Sequence, residues 1–570
     1  MSCRIYAAKR IITMNPSQPA AEGACPTHIA VCDSRILGVG PLEALTELGD
    51  YVLDERFADK VLMPGFVEGH SHALEGAMWA YVYAGFFPRT APDGRVWDGL
   101  TDVAAVQARL SDHAAALEGE TPLIAWGFDP IYFPSRRLDR HDLDAVDDRR
   151  PIVVIHASLH MMTVNSMMLA LAGLEAHADI DGVMTFDDGR PNGELREMAA
   201  MHAVFDTLAL DLFDRGSAPE TLTRYARIAQ RNGVTTLTDL YNPLSESGVA
   251  SMHECLGDDT LPMRLVPAMS ALTYGTDAGI ERLLACRELA TERLHFGPVK
   301  LMTDGSIQGY SARLRWPGYH DGAPNGLWNA EPERLVELVH RYHMAGLQLH
   351  IHTNGDEAVA LMLDAIESAL ELSPRPDHRH TLQHCQIIDH AQMKRAARLG
   401  ICLNMFANHL YYWGDIHRER TLGFERSQRL EPLASADRLG IPIAAHCDAP
   451  VTPLSPLFTA WCSVARQTAS GRVLGAAEAL TVERALKLIT LDAAYTLKLD
   501  DRIGSLEIGK FADIAVLDED PTEVSLERLP GIRIAATLVG GKVFDNNIGD
   551  GACGSEVIHD DGHNDDARDA

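Results

Sequence analysis

The chain has 570 residues, more than one ordinary hydrophobic core needs, so we expect one large domain with a smaller one beside it. Apolar residues make up 46% and charged residues 23% of the sequence, proportions that argue against general disorder. The formal charge of -30, from 80 acidic and 50 basic residues, argues against nucleic acid or an anionic membrane as a partner, because both require clustered Lys and Arg.

The first segment, "MSCRIYAAKRIITMNPSQ", has no continuous apolar stretch behind its positive charges, and no apolar run elsewhere reaches the length of a membrane span. We therefore expect a cytoplasmic protein without a signal peptide. The ten cysteines contain no CxxC pair and no regular spacing. That pattern excludes a zinc ribbon and, in a reducing compartment, predicts free thiols.

Both ends of the chain have the pattern of short strands separated by turns. Residues 1–60 contain "RIYAAKRIITM" and "HIAVCDSRILGVG", and residues 491–548 contain "KFADIAVLDED" and "IAATLVGGKVFD". We predict one small β-sandwich domain built from both termini. The last residues, 549–570, are acidic with few large apolar side chains and are predicted to be disordered.

Between these ends, apolar strand-like runs alternate with helical stretches, which is typical of a parallel α/β fold. Eight such runs occur in order: "VLMPGFVEGHSH", "GVTTLTDL", "MRLVPAMS", "PVKLMTDG", "LQLHIHT", "HTLQHCQ", "ICLNMFA" and "IPIAAHCDAP". Over residues 61–490 they predict a (β/α)8 TIM barrel, whose chemistry lies at the C-terminal ends of the strands. The stretch of about residues 73–231 is too long for one crossover and predicts an insertion over the barrel mouth.

The run "LHIHTNGDEA" places two histidines on one face of a buried strand. His350 and His352 lie two residues apart, a spacing at which strand side chains point the same way. A single pair of this kind is more often a packed core pair than a ligand pair. The other predicted strands change that balance, because several also end in residues that can do chemistry: His70 and His72 in "EGHSH", Lys300 in "VKLMTDG", His384 in "LQHC" and Asp448 in "HCD".

Histidines, a lysine and an aspartate from five strands of one barrel indicate a metal site. Imidazole and carboxylate ligands suit Zn, Fe, Mn or Ni, and the lack of a thiolate set argues against a structural cysteine site. A catalytic metal leaves one position open for water and lowers the pKa of that water towards ~7. The pattern therefore predicts a metal-dependent hydrolase.

With these residues, the sequence resembles the amidohydrolase superfamily and, within it, the amidohydrolase 3 group called YtcJ-like, which includes N-substituted formamide deformylases. The resemblance covers nearly the whole chain except the acidic tail. It is carried by motifs in the expected order: "MPGFVEGHSH", "HMMTVNSMML", "VKLMTDGSIQGYSARL", "LHIHTNGDEAV", "TLQHCQ", "CDAPVTPLSP" and "IGSLEIGKFADIAVLD".

The resemblance implies a binuclear centre in which His70 and His72 hold one divalent metal and His352 and His384 hold the other. It also implies that Lys300 is carboxylated to a carbamate that bridges the two ions, since a free ammonium has no lone pair to give. Zinc is the expected metal, with Mn, Fe or Ni as alternatives. The group varies in metal number, so one or two ions are expected.

Asp448 would bind the first metal and act as general base on water, then as acid towards the leaving nitrogen. His350 becomes a supporting residue beside the ligands. Two positions depart from the group's pattern, because Glu68 stands where an aspartate is usual and Cys447 where a serine is usual. Cys447 is either a soft extra ligand or, more often for this residue type, a small buried thiol.

For substrate binding, the resemblance points to the insertion and to the loop after the fourth strand. The candidate contacts are His160, Asn165, Trp126, Asp304, Tyr310 and Arg313. Each has a structural alternative, since Trp126 can be core and Arg313 can pair with a surface acid. The stretch "YYWGDIHRER" predicts an aromatic loop over the same face, serving either an apolar substrate part or packing between subunits.

Our first functional hypothesis is hydrolysis of a C–N bond in a small molecule: an amide, N-formyl group, cyclic amide or carbamate. Ester hydrolysis, deamination, decarboxylation and isomerisation are alternatives, because loops and not the barrel decide the reaction. A non-catalytic regulatory protein is a third hypothesis, which the presence of all six ligand-type residues disfavours. We expect a homodimer or a larger homo-oligomer.

Overall fold

An eight-stranded parallel sheet is the centre of the molecule. The structure, a computed structural model, describes residues 3–17, 25–133, 136–175 and 180–546, so the predicted disordered tail lies outside the described residues. The strands of the sheet are β1 (Phe66–Glu68), β2 (Val234–Asn242), β3 (Arg264–Ser270), β4 (Pro298–Met302), β5 (Gln348–Thr353), β6 (Thr381–His384), β7 (Cys402–Met405) and β8 (Ile443–Ala445).

These strands are the eight runs that the sequence predicts, and each pairs in parallel with the next in chain order. The order and the parallel pairing are those of a (β/α)8 barrel. The segments that follow β1 and β8 meet, because the His72 N–H donates to the Ala449 carbonyl over 2.8 Å. The C-terminal ends of the first and last strands therefore lie side by side.

Helices cover the outer face of this sheet and bury apolar stripes against it. Helix Asp356–Leu372, for example, buries Val359, Met362, Leu363 and Ile366, which recur every three to four residues. The helices that follow the insertion are Pro219–Arg231, Glu246–Gly257, Thr276–Arg287, Pro332–Met344, Asp356–Leu372, His390–Leu399, His409–Ile416, Gly423–Ser427, Leu433–Arg438, Pro456–Ala465, Val482–Leu488 and Leu491–Thr496.

Local sequence explains where such helices begin and end. At the start of helix His390–Leu399, the Asp389 carboxylate accepts from the backbone N–H of Gln392, and the Gln392 side chain accepts from the Asp389 N–H. The helix stops at Gly400, whose φ of 70° suits a residue without Cβ. Helices Pro219–Arg231 and Pro332–Met344 begin with proline, which needs no N–H in the first turn.

A second, six-stranded sheet lies within the predicted insertion. Its strands are Val82–Tyr83, Leu123–Phe128, Ile152–His156, Met161–Val164, Val183–Thr185 and Pro191–Arg196, and the short pair Arg89–Thr90 and Val96–Trp97 lies beside it. The helices of this region are Leu74–Met78, Val103–Ala114, Arg140–Asp144, Ser166–Leu171, Glu197–Thr207 and Leu212–Arg215. Buried Arg89 donates to the Pro450 carbonyl over 2.6 Å, which joins this region to the loop after β8.

Two small sheets lie at the ends of the chain, the first built from N-terminal strands alone and the second from strands of both termini. One consists of Cys3–Ala7, His28–Cys32, Arg35–Gly40 and Tyr51–Asp54, with the short helix Leu42–Thr46 beside it. The other consists of Arg10–Ile11, Val61–Pro64, Ile514–Leu517, Ile534–Val539 and Lys542–Asp545. Both sheets contribute to one apolar cluster that includes Ile29, Leu62 and Ile514. A separate β-sandwich domain stays a prediction.

The predicted domain boundaries at 61 and 491 stay predictions, and two segments beside them make contacts across these boundaries. Val61–Pro64, assigned to the barrel, pairs with Ile514–Leu517 in a terminal sheet. Helix Leu491–Thr496, assigned to the small domain, packs Ala493 and Ala494 against Val67 and Ala444 of the barrel. Both contacts join segments that lie far apart in the sequence.

A buried ion pair links the terminal sheets to the barrel. Arg264, at the start of β3, donates through Nε to Asp513 Oδ2 over 2.6 Å and through Nη2 to Oδ1 over 2.9 Å. Asp513 directly precedes strand Ile514–Leu517 and also accepts from the Gly540 N–H. The Arg264 guanidinium stacks on the Phe511 ring at 3.7 Å. The ion pair and the stacking of Arg264 on Phe511 therefore both stabilise the contact between the barrel and the terminal sheets.

The expectation that all cysteines are free thiols is wrong for Cys3 and Cys32. They lie opposite one another in antiparallel strands, with their Cα atoms 4.3 Å apart, and form a disulfide. Strand pairing creates this contact across a sequence separation of 29, which spacing alone does not reveal. Among the helices of the described ranges, none has the length and hydropathy needed to span a membrane.

Candidate metal centre

The C-terminal ends of five barrel strands bring the six predicted ligands together. His70 and His72 follow β1, and Asp448 follows β8. The other three are Lys300 in β4, His352 in β5 and His384 at the end of β6. Except for His72, which is partly exposed, these side chains are buried.

Asp448 lies between the two histidines that follow β1. Its Oδ1 atom is 3.3 Å from His70 Nε2 and 3.3 Å from His72 Nε2. Two donors bound to one tetrahedral zinc at about 2.1 Å are about 3.4 Å apart, so these separations match neighbouring ligands of one ion. Lys300 Nζ lies 3.1 Å from His70 Nε2 on the same side of the centre.

The other predicted pair is also in contact. His384 Nε2 is 3.1 Å from His352 Nδ1, and His384 Nδ1 is 3.8 Å from Asp448 Oδ2. His352 Nε2 lies 3.2 Å from the Gly305 carbonyl, so it carries the proton and Nδ1 carries the lone pair. His384 therefore turns Nδ1 towards Asp448.

His446 is a further histidine of the centre that the sequence analysis missed. It lies two residues before Asp448, is fully buried, and stacks on His70 with ring centroids 4.5 Å apart. Its ring is 5.0 Å from that of His384. The signal for it was present, because the spacing of His446 and Asp448 repeats the same-face spacing of His70 and His72.

Several histidine nitrogens of the centre lack a hydrogen-bond partner among the described residues, and this fits a bound metal. Among the described residues, no hydrogen-bond partner is found for His72 Nδ1, for His384 Nδ1 or for either ring nitrogen of His446. Buried polar atoms are normally paired, and imidazole and carboxylate donors suit zinc and similar ions. Two groups have donor atoms all within 4.8 Å of one another: His70, His72 and Asp448, and His70, His384 and His446.

Burial controls the charge of the centre. It lowers the pKa of Lys300 to about 7, against the opposing effect of the Asp448 carboxylate. Burial also lowers the pKa values of His70 and His384 well below the usual range, so both imidazoles are neutral at pH 7. For Asp448, burial raises the pKa, but the contact with His72 and nearby positive groups outweigh it and the net pKa is lowered. The centre thus offers neutral nitrogen donors beside a carboxylate.

A chain of hydrogen bonds holds His70 and explains the role of His350, the first histidine of "LHIHT". His350 Nε2 lies 3.1 Å from the Thr496 carbonyl and must donate to it, so His350 Nδ1 accepts from Gln383 Nε2 over 2.8 Å. The Gln383 Oε1 atom then accepts from His70 Nδ1 over 2.8 Å. His70 consequently presents the lone pair of Nε2 to the centre.

Glu68 and Cys447 fix the backbone on either side of the centre. The Cys447 thiol donates to Glu68 Oε2 over 3.0 Å, and the backbone N–H groups of His70 and Cys447 lie 3.3 Å from Oε1. Burial raises the pKa of Glu68 to about 8, and burial also raises the pKa of the Cys447 thiol. Cys447 is therefore a protonated, buried thiol, as the commoner of its two interpretations predicts.

Residues 58–545 match the model of the amidohydrolase family, which covers most of the chain. The chain belongs to the amidohydrolase family. It is 27% identical over 547 residues to the putative amidohydrolase YtcJ of Bacillus subtilis (strain 168), covering 92% of this chain and 96% of the relative. It is 26% identical to the N-substituted formamide deformylase of Arthrobacter pascens, covering 93% of this chain and 97% of the relative. The resemblance read from the motifs is confirmed.

Among solved structures, this amidohydrolase is similar to an uncharacterized metal-dependent hydrolase from Pyrococcus horikoshii OT3. The TM-score is 0.69 with 21% identity, covering 93% of this chain and 100% of that chain. At this identity the similarity shows a shared fold.

Of the six predicted substrate contacts of the amidohydrolase, His160 lies beside the metal centre. Its ring is 5.9 Å from that of His352, and its Nδ1 is 3.0 Å from Glu197 Oε2. Burial lowers the pKa of His160, but the Glu197 carboxylate, together with Asp448 and Asp304, outweighs burial, and the net pKa is raised. Glu197 has no distinguishing sequence signal, because only the fold brings helix Glu197–Thr207 to His160.

Trp126 and Asn165 have structural roles in the insertion. Trp126 is buried among aromatic side chains, with the rings of Trp79 and Tyr83 both 5.1 Å away. The Asn165 amide accepts from the N–H groups of Ile152 and Met168 and donates to two backbone carbonyls. It caps helix Ser166–Leu171 and has no donor or acceptor left for a substrate.

The other three candidates hold the loop after β4. Buried Asp304 accepts from the backbone N–H groups of Arg313, Asn354 and Gly355 over 2.9–3.0 Å, and burial raises its pKa to about 7. Arg313 forms an ion pair with Glu357 over 3.0 Å. This contact agrees with the alternative interpretation of Arg313, in which it pairs with a surface acid. The Tyr310 hydroxyl donates to Asp321 over 2.7 Å. These contacts assign all three side chains to loop structure.

The predicted aromatic loop is helical. Tyr411, Tyr412 and Trp413 lie in helix His409–Ile416. The Trp413 indole donates to buried Asp129 over 2.8 Å, and the Tyr412 carbonyl accepts from Tyr132 over 2.6 Å. This helix therefore joins the barrel to the insertion through its aromatic residues.

Proposed function

We propose that the chain is a metal-dependent hydrolase of C–N bonds in small molecules, such as amides, N-formyl groups, cyclic amides or carbamates. The observation that carries the proposal is the convergence of histidine nitrogens beside Asp448, at the C-terminal end of a parallel sheet in an amidohydrolase. Several of these nitrogens have no hydrogen-bond partner among the described residues. The similarity to an N-substituted formamide deformylase supports the C–N bond as the target.

Zinc fits the donor set, with His70, His72 and Asp448 as ligands of one ion and His352 and His384 as ligands of a second. When bound, a divalent metal supplies Lewis acidity that activates a water molecule and polarises a carbonyl oxygen. We propose that Lys300 reacts with carbon dioxide to form a carbamate, which turns a cationic donor into an anionic ligand. Its full burial and its position 3.1 Å from His70 support this role.

Asp448 is the proposed proton carrier. Its carboxylate faces His70, His72 and His384, and its pKa is lowered, so it is ionised and able to accept a proton from water at neutral pH. The same oxygen then returns the proton to the leaving nitrogen. The positive φ of 56° at Asp448 turns its side chain into the centre directly after β8.

His160 is the proposed contact for the substrate oxygen. Its Nδ1 is held by Glu197, which leaves Nε2 as the second donor of the imidazolium near His352. A cavity of about 520 Å³ lies at the C-terminal ends of β2 and β3, on the same side of the barrel. Phe205, Leu210 and Tyr241 line it, and a partly apolar small molecule suits such walls.

The first test combines metal analysis with a substrate panel. Protein purified without chelator is measured by elemental mass spectrometry and assayed on N-formyl, N-acyl and cyclic amides. We expect one to two equivalents of divalent metal and amide turnover that chelation removes and zinc restores. Protein with less than half an equivalent that gains no activity on adding Zn or Mn would contradict the proposal.

A further inference from the structure

His446 is the buried imidazole of the centre that the proposed ligand set does not use. We propose that His446 is itself a metal ligand and completes a three-imidazole site with His70 and His384. This inference rests on the proposed function, because it concerns the same metal centre. It departs from the ligand set that the sequence resemblance implies, in which the residue two positions before the aspartate has no role.

The first argument is the state of the His446 ring. The residue is fully buried, and neither ring nitrogen has a hydrogen-bond partner among the residues that the structure describes. Leaving a buried polar group unpaired destabilises the folded protein, so such groups normally have a partner. A metal ion removes this cost by accepting the lone pair of one nitrogen.

The second argument is how the ring is held. The Phe406 ring stacks on one face at 5.0 Å and 21°, and the His70 ring stacks on it at 4.5 Å and 19°. The His384 ring meets it edge-on at 5.0 Å. These contacts restrict rotation of the His446 ring without using either nitrogen, so a donor atom stays directed at a fixed point.

The third argument is that the two neighbouring imidazoles present known donor atoms. Gln383 holds the proton on His70 Nδ1, which leaves Nε2 as the donor of His70. The contact with His352 occupies Nε2 of His384, which leaves Nδ1 as its donor. The donor atoms of His70, His384 and His446 lie within 4.8 Å of one another.

This group shares His70 with the group of His70, His72 and Asp448. An imidazole nitrogen has one lone pair and binds one ion, so the two groups surround the same ion and do not define two separate ions. His446 and His384 would therefore both be ligands of the ion at His70, which removes His384 from the second ion in the ligand set proposed above.

The test compares His446→Phe with the wild type. Phenylalanine keeps a ring for stacking but has no donor atom. We expect the zinc affinity, measured by competition with a coloured chelator, to fall at least about tenfold, the scale seen when even supporting residues of a metal site are lost. With Co(II) in place of zinc, we also expect the visible d–d absorption to change, because one nitrogen ligand is lost.

Tyr310→Phe is the control, since it also changes one aromatic residue, but the Tyr310 hydroxyl pairs with Asp321 in the loop after β4. It should retain the wild-type zinc affinity within about threefold and the wild-type Co(II) spectrum. Circular dichroism and thermal melting check that both variants fold. If His446→Phe binds zinc as tightly as the wild type with an unchanged Co(II) spectrum, the inference is wrong.

A crystal structure of the zinc-loaded wild type decides the matter even if the variant does not fold. We expect a His446 nitrogen at about 2.1 Å from zinc. A His446 ring that contacts only water while zinc binds elsewhere in the centre would overturn this inference and leave the proposed function intact. A wild type that binds no metal would instead overturn both.

Discussion

Two residues of the metal centre have a backbone conformation that side chains other than glycine rarely adopt. The φ angles are 56° at Asp448 and 69° at His384, in the left-handed region. Each such residue costs on the order of 1–2 kcal/mol, and conformations of this kind are common at functional sites. The surrounding fold must therefore hold these two side chains in place before any metal binds.

Replacing Asp448 tests its role as ligand and proton carrier. With Asp448→Asn, we expect kcat/KM on the identified amide to fall roughly 10²–10⁴-fold at saturating zinc, because the amide cannot accept the proton. Tyr310→Phe is the control, since Tyr310 pairs with Asp321 outside the centre, and it should change kcat/KM less than twofold. Equal kinetics for Asp448→Asn and the wild type would contradict the role given to Asp448.

The pair of His160 and Glu197 predicts a pH effect. The raised pKa of His160 keeps its imidazole charged up to that pKa, so kcat/KM should fall as the pH rises through it. In Glu197→Gln the carboxylate that raises the pKa is gone. We expect the alkaline limb of the kcat/KM profile to move to lower pH.

Glu357→Gln serves as the comparison for this profile, because Glu357 pairs with Arg313 in the loop after β4. Its alkaline limb should match that of the wild type. An alkaline limb that stays in place in Glu197→Gln would mean that His160 does not control the reaction.

Single residues were predictable where the strand pattern alone decides their position. His70, Lys300 and Asp448 stand at or beyond the ends of predicted strands, and such ends converge in a barrel. The roles of Asn165 and Arg313 were not predictable, because both depend on hydrogen-bond partners that only the folded chain supplies. A family resemblance predicts which residue type stands at a position, but it does not predict which residues surround that side chain.

At the scale of elements, the eight barrel strands were predictable because their residues are nearly all buried, and short runs rich in apolar and β-branched residues alternate with helical stretches. The strand pairing of the termini was not, since Val61–Pro64 finds its partner Ile514–Leu517 at the other end of the chain. Alternating strand patterns identify strands but contain no information on distant partners.

Helix capping in the insertion gives an element-scale prediction. Asn165→Ala removes the cap of helix Ser166–Leu171 and four hydrogen bonds, so we expect the protein to lose about 2–4 kcal/mol of stability. The kcat/KM of the folded fraction should stay within twofold of the wild type. Thermal melting and steady-state kinetics measure the two effects.

The comparison is Asp102→Ala, which removes the exposed cap of helix Val103–Ala114 and should cost less. If Asn165→Ala instead raised KM strongly at unchanged melting temperature, Asn165 would be a substrate contact after all.

At the scale of the whole molecule, the ion pair of Arg264 and Asp513 couples the barrel to the terminal sheets. Arg264→Ala leaves a buried carboxylate without its partner, a change that costs about 3–5 kcal/mol. We expect faster hydrogen exchange in Ile514–Leu517 and Ile534–Val539, while β5 keeps its protection.

Arg528→Ala is the control, because it breaks an exposed ion pair with Glu519, and it should change the exchange rates of these strands little. Exchange that stays slow in these strands of Arg264→Ala would show that apolar packing alone holds the contact.

The pairing of Val61–Pro64 with Ile514–Leu517 also constrains how the chain is made. During synthesis, the first of these strands leaves the ribosome long before the second exists. The edge of Val61–Pro64 that pairs with Ile514–Leu517 has no partner while the residues of the barrel are being synthesised. The terminal sheet can therefore close only near the end of translation, when a strand made early meets one of the last strands to be made.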